Sequence, residues 1–530
     1  MKIVIPMAGQ GKRFTAAGYQ TPKPLIPIDG MPVIEHIIHN FSIEDDFVFG
    51  VNEEHLKTTP LAEVLTRLAP RSRIVSMPYQ KAGPIGVLRR LFDHVRDDEP
   101  VIVNYCDFSW AWDYADFKRE VAGNGADGAV LCYRGFHPHL LGPNLYATLE
   151  ADGLWMKAIR EKHTWHGDKM KDWTSSGTYY FRTGALLKKA CEAIEKHPDW
   201  KINGEFYVSQ LYQVMKNEDE RVFIHEIPFM LQWGTPEDLE EYRYWSDLFR
   251  AKARPPVPNT APLDMTALVL MAGAGKRFQD AGYTVPKPMI PVDGKPMVTA
   301  ACESLPRASR YLFAARRDTL PPGDIEKAVQ GKLPDPKMLW INQLTEGQAC
   351  SALLAKDHIA PEASVLIASC DHGAVMDLKR FQDAACGDAD ALIFTFRGFP
   401  PVKRNPKAYG WVQTDTEDCA VRVSVKVPLE GDPAGHHAVM GAFWFRRWDN
   451  FVTAAERTIF ENRCINNEFY IDEVMNTVIQ SGACVRVFEV DRYIGWGTPE
   501  DLQVYEYWQH FFGQAWFHPY GPGKEKHAGA

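Results

Sequence analysis

Short apolar runs alternate with longer amphipathic stretches through the early part of the chain. The runs near 2–6, 47–51, 72–77, 100–105 and 128–133 read as strands. The stretches near 33–41, 53–68, 84–96 and 113–122 read as helices. Such alternation predicts a mainly parallel sheet covered by helices on both faces. The following region is less regular. It predicts one helix after the NGEFY segment at 203–207 and another after TPEDL at 235–239. Pro236, Glu237 and Asp238 put proline and acids in a first turn, where helix starts favour them.

The whole pattern then restarts. Residues 8–32 and 272–296 are identical at 17 of 25 positions, at an offset of 273 − 9 = 264. The offset holds for Asp107 and Asp371, Lys162 and Lys426, and Gly177 and Gly441. It becomes 263 for Glu205 and Glu468 and for Gly234 and Gly497. A nearly constant offset of this size predicts a duplicated domain and excludes a solenoid, whose period is roughly 20–50 residues. The expected division is a first domain over 1–250, a proline-rich linker over 251–264, a second domain over 265–515 and a flexible tail over 516–530.

Composition narrows the class. The 530 residues carry a formal net charge of -9, with no basic stripe, which disfavours a nucleic-acid partner. No apolar run approaches the ~18 residues of a membrane span. Met1–Ile5 reads as a core strand, not as a signal peptide. Ten scattered cysteines without a C-x-x-C pair suit reduced thiols in a cytoplasmic protein. Cys106 and Cys370 read as small core residues. The 17 histidines form no H-x-x-x-H or Cys/His cluster, so zinc has little support.

The candidate chemistry begins at a glycine-rich turn after the first strand: Ala8, Gly9, Gly11, Lys12 and Arg13, repeated as Ala272, Gly273, Gly275, Lys276 and Arg277. Glycines let backbone N–H groups approach anionic oxygens. A dinucleotide fingerprint fails because Phe14 or Phe278 occupies its last glycine position, and a Walker A loop fails because arginine follows the lysine. The remaining reading joins the turn to Lys23 or Lys287, each between two prolines. Two cations beside one glycine-rich turn suit a triphosphate. The bland alternative is a tight turn with solvated cations, and retention of the whole set in both copies argues against it.

G-x-G-x-R-F followed by P-K-P resembles the signature of sugar-phosphate nucleotidyltransferases, or pyrophosphorylases. The later order agrees: a strand-end aspartate, a Glu-Lys pair, a Gly-aromatic strand, then G-T-P-E-D-L. With N-G-E-F-Y, the sequence resembles in particular small bacterial enzymes of capsule and surface-polysaccharide pathways, some of which use CTP. The resemblance implies two tandem α/β domains of Rossmann-like, glycosyltransferase-A-like form, each a mainly parallel sheet flanked by helices. It implies an NTP (CTP, UTP, dTTP or GTP), Mg2+ and a small phosphorylated acceptor as ligands.

By the same resemblance, Arg13 and Arg277 bind the β- and γ-phosphates, and Lys23 and Lys287 the α-phosphate or the acceptor phosphate. Asp107 and Asp371 hold Mg2+. Lys162 and Lys426 contact the acceptor phosphate, with Glu161 on the acceptor body. Gly177, Gly441, Glu205 and Glu468 line the acceptor side, although the two glutamates sit where they could equally cap a helix. The second metal-binding aspartate of many relatives is replaced by Gln232 and Gly495. That ligand is missing or comes from elsewhere, such as these glutamates or the TPED acids. The chemistry needs no strong base, because a phosphomonoester is largely ionised at neutral pH. It needs anions positioned and neutralised.

The halves differ. Gln343 and Gly347 in the second resemble a base-reading segment, where the first has Tyr79 and Gly83. The first keeps Glu161-Lys162, where the second has Val425-Lys426. The two sites are therefore expected to take different acceptors, or one is impaired. The aromatics Tyr242, Tyr244, Trp245, Tyr505, Tyr507 and Trp508 read as core or interdomain packing. A glycosyltransferase would show Asp-x-Asp at the strand end, absent from Cys106-Asp107-Phe108 and Cys370-Asp371-His372. A nucleotide-sensing half remains an alternative, and the sequence leaves a homo-oligomer open.

Overall fold

The computed structural model describes residues 1–79, 83–254, 261–320 and 323–522. The chain forms two compact units, Met1–Arg243 and Tyr244–Ala530. The division falls inside the helix Pro236–Lys252, ahead of the expected boundary at 250. Residues 255–260 of the expected linker and 523–530 of the expected tail lie outside the described residues. Leu263 and Asp264 already belong to the strand Leu263–Met271. The early tail is not frayed: His518 is buried against Phe512 and contacts the Ser246 carbonyl at 3.1 Å.

In the first unit the strand Lys2–Met7 pairs in parallel with Asp46–Asn52 on one side and Val101–Asn104 on the other. Arg73–Met77 extends this parallel half. Trp173–Phe181 runs antiparallel between Val101–Asn104 and Gly128–Tyr133. Val222–Glu226, Trp155–Glu161 and Ala147–Asp152 complete a nine-stranded sheet. Alternating positions such as Val4, Val103, Val130 and Phe181 are fully buried. Each such side chain contributes roughly 2 kcal/mol on burial.

The second unit repeats the order. Leu263–Met271 lies in parallel between Ala308–Arg316 and Val365–Ser369, and Pro336–Ile341 extends that half. His437–Phe445 is the antiparallel strand beside Val365–Ser369 and Ala391–Phe396. Val485–Glu489 and the hairpin Gly410–Thr414 with Ala420–Val425 follow.

Two expected helices are shorter. The 53–68 helix divides into Glu53–Thr58 and Leu61–Leu68, because Pro60 has no N–H to continue the ladder. The 84–96 stretch is an α-helix only over Gly83–Arg89, with a 3-10 turn at Phe92–His94. The aromatic set after TPEDL is core, with all six rings buried. Tyr242 donates to Asp29 at 2.7 Å, as Tyr505 does to Asp293 at 2.7 Å. Among the described residues, no helix is long and apolar enough to cross a membrane.

Candidate functional site

The parallel half of each sheet delivers its strand ends to one edge, where an open α/β sheet binds ligands. The first strand stops at Met7. The chain then turns through Gly11 at φ 64, or through Gly275 at φ 62 in the second unit. This left-handed conformation is costly for residues with a Cβ. It starts the short helices Lys12–Ala16 and Lys276–Asp280. Phe14 and Phe278 anchor them in the core, while Gly9, Gly273, Arg13 and Arg277 face outward. Neither guanidinium is held in an ion pair among the described residues, so both are free to take an anion.

Lys23 comes off the 3-10 turn Lys23–Leu25 and meets the strand-end aspartate. Its Nζ lies 3.2 Å from Asp107 Oδ2 and 5.5 Å from the centre of the Phe14 ring. Lys287 repeats this geometry, donating to Asp371 Oδ2 at 2.6 Å and to the Gly497 carbonyl at 3.1 Å. The aspartates are fixed from behind. Trp233 N–H donates to the Asp107 carbonyl at 3.0 Å, and Trp496 N–H to that of Asp371 at 2.9 Å.

The pairs differ in setting. Asp107 is 45% exposed and Asp371 only 23%. Asp371 also accepts from Ser369 and lies 3.2 Å from His372 Nδ1. Burial pushes the Asp371 carboxyl up, but Lys287 and His372 together outweigh it and hold the group well below the ordinary carboxylate range. Tyr105 and Phe108 stand where the second unit has Ser369 and His372. Burial pushes the thiols of Cys106 and Cys370 up to about 12, so both are inert neutral neighbours.

The residues expected to contact an acceptor begin at the end of the strand Trp155–Glu161. Glu161 accepts from Ser209 and is pushed up by burial, with Ser209 and Lys162 pulling the other way. Lys162 sits in the left-handed region at φ 53, Lys426 at φ 60. This costs a non-glycine residue roughly 1–2 kcal/mol. Lys162 N–H donates to the Tyr146 carbonyl at 2.9 Å. Lys426 donates to the Ala408 carbonyl and lies 5.5 Å from the Tyr470 ring centre. Gly177 and Gly441, at φ 98 and 91, pass close beneath the strand-end residues. A Cβ there would lie 2.6 Å from Phe108 or 2.9 Å from His372.

Glu205 packs its stem against Gly83, where a Cβ would come within 2.9 Å. It does not cap the next helix: Tyr207 holds that place, its N–H donating to Gln210 at 2.9 Å. Glu468 lies within electrostatic reach of Tyr470 and Lys426. Gly347 meets the same segment of the second unit, the Phe469 N–H donating to the Glu346 carbonyl at 2.7 Å. Gln343 is exposed on the loop between Ile341 and the helix Gln348–Leu353. Lys12 lies 5.8 Å from the Tyr79 ring centre, while Lys276 is exposed. Ala8 and Ala272 are buried under their turns.

The sequence reading missed the phenols. Tyr146 lies within electrostatic reach of Asp107 and Arg13. Tyr207 lies within reach of Glu161, Glu205 and Arg13. Burial raises both, with the nearby carboxylates adding to it, so both stand as neutral hydroxyls. Neither follows a motif, and only the fold reveals them.

Gln232 pairs with Phe108 across a two-stranded ribbon, and Gly495 pairs with His372. The position after each is the tryptophan holding the aspartate, so the missing second carboxylate is missing at the site itself. Of the TPED acids, Asp501 accepts from Thr498 at 2.7 Å, and Asp238 from the Thr235 N–H at 2.9 Å. Both cap helices. Among the described residues, no three His, Cys, Asp or Glu side chains form a metal cluster. One carboxylate beside two cations suits an ion that arrives with substrate phosphates and keeps several waters, as Mg2+ does.

A family model described as MobA-like NTP transferase domain matches residues 3–162, and one described as Nucleotidyl transferase matches residues 266–463. The chain belongs to the nucleotidyltransferases and carries two such domains in tandem. It is 28% identical over 232 residues to a glucose-1-phosphate thymidylyltransferase of Mycolicibacterium smegmatis, covering 41% of this chain and 72% of that one. It is 24% identical over 225 residues to a mannose-1-phosphate guanylyltransferase catalytic subunit beta of Dictyostelium discoideum, covering 40% and 59%. A solved nucleoside-diphosphate-sugar pyrophosphorylase of Vibrio cholerae aligns at 20% identity and a TM-score of 0.38, covering 45% of this chain and 98% of that one.

Proposed function

We propose that each unit transfers a nucleoside monophosphate from an NTP to a small phosphorylated acceptor and releases pyrophosphate, and that the two sites are not equivalent. The observation carrying this is the Lys–Asp contact, repeated at 3.2 and 2.6 Å beside a left-handed glycine turn and an unpaired arginine. The relatives are named for glucose 1-phosphate and mannose 1-phosphate, which makes hexose 1-phosphates the first acceptors to try. The nucleotide is CTP, UTP, dTTP or GTP. The free thiols suit a reducing, cytoplasmic setting.

In this reading the glycine turn cradles the triphosphate, and Arg13 or Arg277 neutralises its outer phosphates. Lys23 or Lys287 holds the α-phosphate. An acceptor phosphate oxygen, steered by Lys162 or Lys426, attacks the α-phosphorus. The new P–O bond forms as the bond to the β-phosphate oxygen breaks, and pyrophosphate carries that electron pair away. Asp107 and Asp371 would hold Mg2+, which supplies further neutralisation of the leaving oxygens. Glu161 accepts from the acceptor body in the first unit.

Pyrophosphate release should depend on both an NTP and a hexose 1-phosphate, stop with excess EDTA and return with Mg2+. A coupled phosphate assay reads it. Release from NTP alone, or full activity in EDTA, would count against the reading.

A further inference from the structure

The loss of Glu161's counterpart at Val425 does not leave the second unit without a carboxylate. Glu161 faces Ala147 across its hairpin, and Val425 faces Gly410 at the same register. Ser209 is the second residue of the helix Val208–Asn217, and Asp472 the second of Ile471–Gln480. The trio Ala147, Glu161 and Ser209 has therefore become Gly410, Val425 and Asp472. In the first unit the strand supplies the acid and the helix supplies the hydroxyl that donates to it. In the second, the acid is on the helix.

The third change makes room for the second. A Cβ on Gly410 would lie 2.1 Å from Asp472 Oδ1. Asp472 is 9% exposed, and its side chain accepts no hydrogen bond from another side chain among the described residues. Lys426 and the adjacent acid Glu473 lie within its electrostatic reach, and Lys426 is the cation of the two. A buried acid of this kind requires a donor or a cation partner.

We infer that Asp472 is the acceptor-recognising carboxylate of the second site, accepting a hydrogen bond from a hydroxyl of a phosphorylated polyol or sugar whose phosphate lies on Lys426. This rests on the proposed function and fixes which residue reads the acceptor body there. Because the acid projects from the helix instead of the strand, it reads a differently placed hydroxyl. The two units thus discriminate between acceptors by geometry, with neither impaired.

The test uses the full chain carrying Lys162→Ala, which removes the acceptor phosphate contact of the first unit. Calorimetric titration with glucose 1-phosphate, mannose 1-phosphate and inorganic phosphate should show the second unit preferring at least one ester over bare phosphate by tenfold or more. Asp472→Asn should abolish that preference, with inorganic phosphate bound at least as tightly as before because one negative charge beside Lys426 is removed. Gly410→Ala, which crowds the carboxylate, should do the same. The exchange Val425→Glu with Asp472→Ser should restore a preference that follows the first unit's order. Equal affinity for esters and inorganic phosphate before mutation, or a preference surviving Asp472→Asn, overturns the inference. Pyrophosphate release is read separately. Its absence would sink the transfer reaction of this unit, while the titration still decides the role of Asp472.

Discussion

Arg13→Ala should lower first-unit turnover by about 10²–10³-fold, the range for removing one preorganised charge-stabilising donor. Arg13 stands one turn beyond Gly11, faces outward and has no ion-pair partner among the described residues. Its removal therefore breaks no ion pair, and the unit should melt within about 1 °C of the parent, since exposed substitutions shift stability little. The loss should fall on reactions with the first unit's acceptor. Arg277→Ala should spare those and remove the other set. Steady-state pyrophosphate release with each acceptor measures this. Equal loss from both variants on every acceptor would mean that the sites are not specialised.

Lys287→Ala should destabilise the second unit by roughly 2 kcal/mol, because removing one partner strands a largely buried charge. For a unit of this size that is a fall of about 6 °C in its melting transition. Lys23→Ala should cost the first unit less than ~1 kcal/mol, since Asp107 is 45% exposed and water takes over its charge. Differential scanning calorimetry of the two variants gives the comparison. The asymmetry follows from the surroundings: Asp371 keeps Ser369 and His372 but loses its one full cation. Equal shifts would show that the two pairs share one electrostatic setting.

Much of this site could be read from the chain because its parts are local or duplicated. The glycine turn, the Pro-Lys-Pro segment and the strand-end aspartate lie in short motifs, and the repeat showed that they recur together. The parallel half of each sheet was legible for the same reason: uniform apolar runs report burial on both faces. The Gly-aromatic strands Trp173–Phe181 and His437–Phe445 were expected, but not their antiparallel direction, because strand direction depends on partners far away in sequence. Tyr146 and Tyr207 escaped notice since no motif marks them. Asp472 was hidden by a subtler effect. At a fixed offset the sequence shows a lost glutamate, whereas in space the carboxylate has moved from a strand to the facing helix.

If each unit carries its own triphosphate pocket, built on one arginine, one lysine and one aspartate, calorimetric titration of the full chain with NTP and Mg2+ should give two binding events per chain. One should be lost in Arg13→Ala and the other in Arg277→Ala. A single event, or a stoichiometry that neither substitution changes, would contradict this arrangement.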